Sequence, residues 1–146
     1  MNRDLALAEW RRAREALRAA EILTKEGYYS DAVSRTYYAI LHAAKAALHV
    51  HDVSAESHAA VRRMFGLHLI QAGAVENSWA ACLGESLDDR LSADYDPQVF
   101  FNEQEARDEC SQSRRFILRI RRYLLLNGFK ESELRGRPPR SRDHLT

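Results

Sequence analysis

Apolar positions recur along this chain at every third or fourth residue, and strand-like alternation is hard to find. Residues 4–26 place Ala6, Trp10, Ala13, Leu17 and Ala20 on one face and Arg11, Arg14 and Arg18 on another. That pattern predicts a first helix, with Gly27 well placed to end it. A second helix, about 30–50, is expected to bury Val33, Tyr37, Ile40, Leu41, Ala44 and Leu48. Ser54 has the side chain of an N-cap for a third helix over about 55–72, closed by Gly73. A fourth covers about 77–93 with Trp79, Leu83 and Leu87, and runs into the turn signal Asp94-Tyr95-Asp96-Pro97. Asn102 followed by Glu105 has the form of a capping box, opening a fifth helix over about 103–127 that stops at Gly128. The expected class is all-α: an antiparallel up-and-down helical bundle of four to five helices joined by short links.

Beyond Phe129 the pattern changes. Gly136-Arg137-Pro138-Pro139-Arg140 cannot continue a helix and has little to bury. The expected division is therefore a helical body over 1–129 and a flexible basic tail over 130–146.

With 146 residues the chain can bury a real core as one domain. The formal net charge is +1. Five basic and three acidic residues lie between Lys130 and Thr146, which leaves the body near −1. Contact with a nucleic acid must then come from local patches and not from bulk attraction. The only cysteines, Cys82 and Cys110, have no Cys or His at zinc-site spacing, so neither a disulfide framework nor a bound metal or other cofactor is expected. The chain shows no apolar leader and no run approaching a membrane span, so the expectation is a cytoplasmic protein without a membrane partner.

The candidate chemistry sits in the second helix. Arg35 and His42 are separated by six residues, nearly two helical turns, and so share one face about 10 Å apart along the axis. Tyr38 lies between them on the same side. A fixed cation beside an imidazole is the minimum for holding a phosphate and moving a proton. On the fifth helix Arg115, Arg119 and Arg122 follow the i, i+4, i+7 rule and form a basic stripe, a candidate surface for an RNA backbone. Asp31 stands one turn before Arg35 and is placed to pair with it; Arg90 and Asp94 have the same spacing. His49 is expected at a solvated helix end; His51, His58 and His68 show no partner spacing, with capping or lining of a cleft a minor alternative for His58.

Three segments resemble the HEPN domains, the higher eukaryote and prokaryote nucleotide-binding helical bundles. Gly27 to Leu48, with Tyr37-Tyr38-Ala39-Ile40-Leu41-His42 at its centre, looks like their signature helix. Ser57-His58-Ala59-Ala60-Val61-Arg62-Arg63-Met64-Phe65 is similar to the middle helix of the small stand-alone bacterial and archaeal members. Arg90-Leu91-Ser92-Ala93-Asp94-Tyr95 is similar to their arginine-to-tyrosine turn. The three occur in order and span about residues 5–127.

The resemblance implies a bundle that pairs with itself. In nuclease members an arginine, four to six residues and a histidine make a metal-independent RNA-cleaving site, and Arg35 and His42 match that motif. Active members often carry Asn, Asp or His directly after the arginine; Thr36 holds that position here and is expected at the substrate with Tyr38. The resemblance further implies a toxin of a toxin–antitoxin pair, with RNA as substrate, a homodimer as the working form and a small nucleotidyltransferase as antitoxin. In some related pairs the partner modifies a tyrosine two residues after the histidine; Ala44 stands there, so that form of control is not expected. A second reading remains open: a non-catalytic module that binds a nucleotide or supports the nucleotidyltransferase, with Arg35 as a phosphate contact only.

Overall fold

The computed structural model describes residues 1–136, and among them there are helices and no strands. The elements are α1 (Arg3–Lys25), α2 (Tyr29–His49), α3 (His58–Phe65), α4 (Ser78–Tyr95), α5 (Glu103–Leu126) and a short α6 (Glu131–Arg135). The expected all-α bundle is the observed class.

α1 and α2 form a hairpin, and α2 is the central element, in contact with α1, α4 and α5. Gly27 at φ +90° reverses the chain, and the Tyr28 amide returns to the Leu23 carbonyl at 2.8 Å. A side chain there would oppose that left-handed turn. At the far end the Asn2 amide donates to the His49 carbonyl at 3.0 Å, so the start of α1 covers the end of α2. His49 is buried by that cover instead of standing at a solvated end, and burial, ahead of nearby charges, lowers its pKa.

Every residue expected on the inner face of α2 is buried: Val33, Tyr37, Ile40, Leu41, Ala44 and Leu48. The alanines of α1 and α2 bring those two helices close, while Phe65, Phe116, Ile120 and Leu124 fill the space between the other elements. The fifth helix opens on the expected capping box: the Glu105 amide donates to Asn102 Oδ1 at 2.8 Å, and the Asn102 amide to Glu105 Oε1 at 3.1 Å.

Two boundaries differ from expectation. The third helix is capped by Ser57, whose Oγ accepts from the Ala60 amide at 3.0 Å, and not by Ser54. A turn through Asp52, at φ +56°, and a link without regular structure come first, which delays the helix. The α-helical ladder ends at Phe65 and widens over Gly66–Ile70, where the Gln71 amide reaches back to the Gly66 carbonyl at 2.9 Å.

The folded body also extends past residue 129. Residues 131–135 form α6, Leu134 is 2% exposed, and its carbonyl accepts from Trp10 Nε1 at 2.8 Å and from Arg14 Nη1 at 2.7 Å. Arg3 pairs with Glu133 at the same contact. A tail read by composition looked polar because its one anchoring leucine is isolated in sequence. The rest of the expected tail, residues 137–146, lies outside the described residues.

Candidate functional site

Arg35, Tyr38 and His42 line one open groove of about 730 Å³ built entirely from α1 and α2. The helical spacing places them on one side of α2, and the close approach of α1 supplies the opposite wall. Its floor is small, with Ala8, Ala16 and Ala19, and its polar rim is Glu9, Arg12 and Glu15. Alanine at these positions leaves a trough over which an extended ligand can lie.

His42 is fixed from α1. Its Nδ1 lies 2.6 Å from Glu9 Oε2, and Lys45 Nζ lies 3.4 Å from the other oxygen of the same carboxylate. Burial alone would raise the Glu9 pKa, but the hydrogen bond to His42 and the Lys45 charge together outweigh it, so the carboxyl is held below its ordinary value. An ionised carboxylate only accepts, so Nδ1 carries the proton and Nε2 is left for chemistry.

Arg35 is exposed and takes part in no ion pair among the described residues; the expected Asp31 contact is not formed. Its guanidinium is thus available to a phosphate. Thr36 is displaced from the site. One residue on from Arg35 the helix has turned about 100°, and Thr36 is 0% exposed with its hydroxyl donated to the Val33 carbonyl at 2.7 Å. Ser113 of α5 donates to the Thr36 carbonyl at 3.2 Å from the core side. Thr36 therefore belongs to the α2–α5 contact and reaches no groove.

The basic stripe of α5 lies outside the groove. Arg119 is engaged: Nε reaches Glu76 Oε1 at 2.8 Å, and Nη2 reaches Glu76 Oε2 at 3.0 Å and the Ala74 carbonyl at 2.8 Å. The Arg119 hydrogen bond, assisted by Trp79, holds the Glu76 carboxyl at about 2. Arg119 thus clamps the segment before α4. Arg115 and Arg122 stay exposed, and with Arg119, Trp79 and Leu118 they line a separate shallow hollow.

On the other edge of α2 lies a second polar group. Tyr37 is buried and hydrogen-bonds His58 Nδ1 through its hydroxyl. Burial first, then the charges of Arg90 and Lys45, lowers the His58 pKa. Arg90 forms the expected pair with Asp94, at 3.4 Å. Its guanidinium carbon also lies 5.6, 5.5 and 5.8 Å from the ring centres of Tyr37, Tyr38 and Tyr95.

Glu9, Arg12 and Lys45 escaped the sequence reading. Glu9 borders the buried Ala6–Trp10–Ala13 face of α1, a weak signal, but its meeting with His42 depends on the register between two helices.

The sequence model of the HEPN domain matches residues 7–123, which span the groove and all but the last turn of α5. The chain is 38% identical over 112 residues to the protein named "Putative toxin MJ0605" of Methanocaldococcus jannaschii, covering 77% of this chain and 83% of that one. A second protein of the same organism, named "Putative toxin MJ0142", is 26% identical over 122 residues, 84% of this chain and 83% of that one. A UPF0332 protein of Pyrococcus horikoshii is 40% identical over 76 residues, 52% of this chain and 54% of that one. No helix among the described residues is long and apolar enough to cross a membrane.

Proposed function

The chain belongs to the HEPN domain family, and from that premise we propose that it is a toxin that cuts RNA without a metal ion, with Arg35 and His42 as its catalytic residues. The single observation that carries the reading is the groove in which an unpaired Arg35 and a carboxylate-oriented His42 face the same space. The names of two relatives support the toxin role.

The chemistry follows from the two side chains. Neutral His42, through Nε2, takes the proton of an RNA 2′-hydroxyl. The 2′-oxygen attacks the adjacent phosphorus, and the bond to the 5′-oxygen breaks as that oxygen gains a proton. The products are a 2′,3′-cyclic phosphate and a 5′-hydroxyl. Arg35 holds the non-bridging oxygens with its planar fork and stabilises the charge that builds on them. Glu9 orients the imidazole and does not touch the substrate. DNA lacks the nucleophile and is left intact.

One imidazole does not serve readily as base and acid in the same turnover. We place the second proton donor in a second copy of the chain, whose α1–α2 face closes over the first as a two-fold homodimer and supplies another His42. Tyr38 lies between the two catalytic residues and orients the phosphate. Arg115 and Arg122 add backbone attraction away from the groove. A small nucleotidyltransferase is the proposed antitoxin.

The test compares wild type with His42→Ala on a labelled RNA in the presence of a chelator. Wild type should cleave and leave cyclic-phosphate ends, and His42→Ala should be inactive with an unchanged circular dichroism spectrum. Cleavage that persists in His42→Ala removes the mechanism. A wild type that leaves RNA intact removes the nuclease reading.

A further inference from the structure

Arg90 is 8% exposed, and its buried Nε makes no hydrogen bond, facing Asp94 Oδ2 only in an ion pair at 3.4 Å. A buried donor held by a long ion pair alone leaves room for a further acceptor beside the guanidinium. It is wedged among three tyrosine rings of very different exposure. Tyr37 is buried and anchored on His58, Tyr38 lines the Arg35–His42 groove, and Tyr95, on the last turn of α4, is 71% exposed. The contacts run without a break from the groove, through Tyr38 and Arg90, to an aromatic face in solvent.

We propose that Tyr95 and Arg90 form a base-binding subsite for one unpaired nucleotide of a single-stranded RNA, next to the groove that holds the scissile phosphate. The base stacks on Tyr95, and an acceptor on its edge takes a hydrogen bond from the Arg90 guanidinium. A base fits better than another phosphate, because Asp94 already offsets the Arg90 charge and its carboxylate would repel an anion. An exposed aromatic ring edged by arginine matches the flat π-face and polar rim that every unpaired base presents. Paired bases in a duplex offer no such face, so the subsite selects single strands. This assignment rests on reading the groove as an RNA site and adds what stands beside the cut.

The experiment measures binding of a fluorescent 2′-O-methyl oligonucleotide, which cannot be cleaved, to the full chain by anisotropy. Tyr95→Ala, at an exposed position, should weaken binding roughly ten-fold or more, and Tyr95→Phe should keep the wild-type affinity. An oligonucleotide of abasic residues should bind wild type and Tyr95→Ala alike. Equal affinity of wild type and Tyr95→Ala for the base-bearing strand overturns the subsite. If binding depends on Tyr95 while wild type fails to cleave ordinary RNA, the subsite stands and the nuclease reading falls. No binding of either strand by wild type overturns both.

Discussion

Glu9 of α1 and His42 of α2, thirty-three positions apart in sequence, meet at 2.6 Å across the hairpin. The contact ties the proposed proton-transfer group to a helix other than its own and selects which ring nitrogen faces the groove. It also gives Glu9 two hydrogen-bonding or ion-pair partners, since Lys45 shares the carboxylate.

Glu9→Gln keeps the shape and an acceptor but loses the charge. RNA cleavage should fall about 10- to 100-fold, in the range seen when a group that orients a functional histidine is removed. The loss should appear in kcat with KM nearly unchanged, because Glu9 positions the imidazole and does not bind the substrate. Equal steady-state constants for the variant and wild type would show that the contact is only structural.

The same carboxylate carries a pH prediction. Its pKa in the fold lies below the ordinary value of 4.5, so its stabilising contribution is complete above 4.5 and is lost as pH falls through the lowered value. Thermal melts of wild type and Glu9→Gln should therefore converge as the pH is taken below 4 and differ most near neutrality.

Glu109 behaves in the opposite sense. Burial, then its hydrogen bond and like charge with Asp89, then Glu85 and Asp108, push its carboxyl up to about 8, and Oε2 is buried without a partner. A raised carboxyl stabilises the fold below its unfolded pKa, and that stability is lost as pH rises through the folded value. The melting temperature should decline as pH rises from 4.5 to about 8, and Glu109→Gln should flatten that decline.

Thr36→Val tests a correction. The side chain is buried and its hydroxyl bonds within its own helix, so RNA cleavage by the variant should stay within about two-fold of wild type, with a stability cost of about 1 kcal/mol for the lost hydrogen bond. A hundred-fold loss of activity in a folded variant would restore Thr36 to the site.

Leu134→Ala tests the extent of the folded body. Removing a leucine that is buried against α1 should cost about 2–3 kcal/mol and lower the melting temperature by roughly 5–10 °C. A melt identical to wild type would mean that α6 is dispensable.

Five of the six helices and the inner face of α2 were legible in the sequence, because a 3.6-residue period and local caps act between neighbours in the chain. Arg35, Tyr38 and His42 share a face for the same reason, and Thr36 leaves it by the same rotation, a consequence that motif matching overlooked. Ser57 in place of Ser54 as the third N-cap shows where local rules stop: both are competent caps, and the path of the link chose between them. That Glu9 holds His42, that Arg119 is engaged by Glu76, that Leu134 anchors α6 and that Arg90 sits among three tyrosines came from the packing. Each of these depends on the register and distance between elements remote in sequence, which are set by the packing of the whole core and leave no local periodic trace.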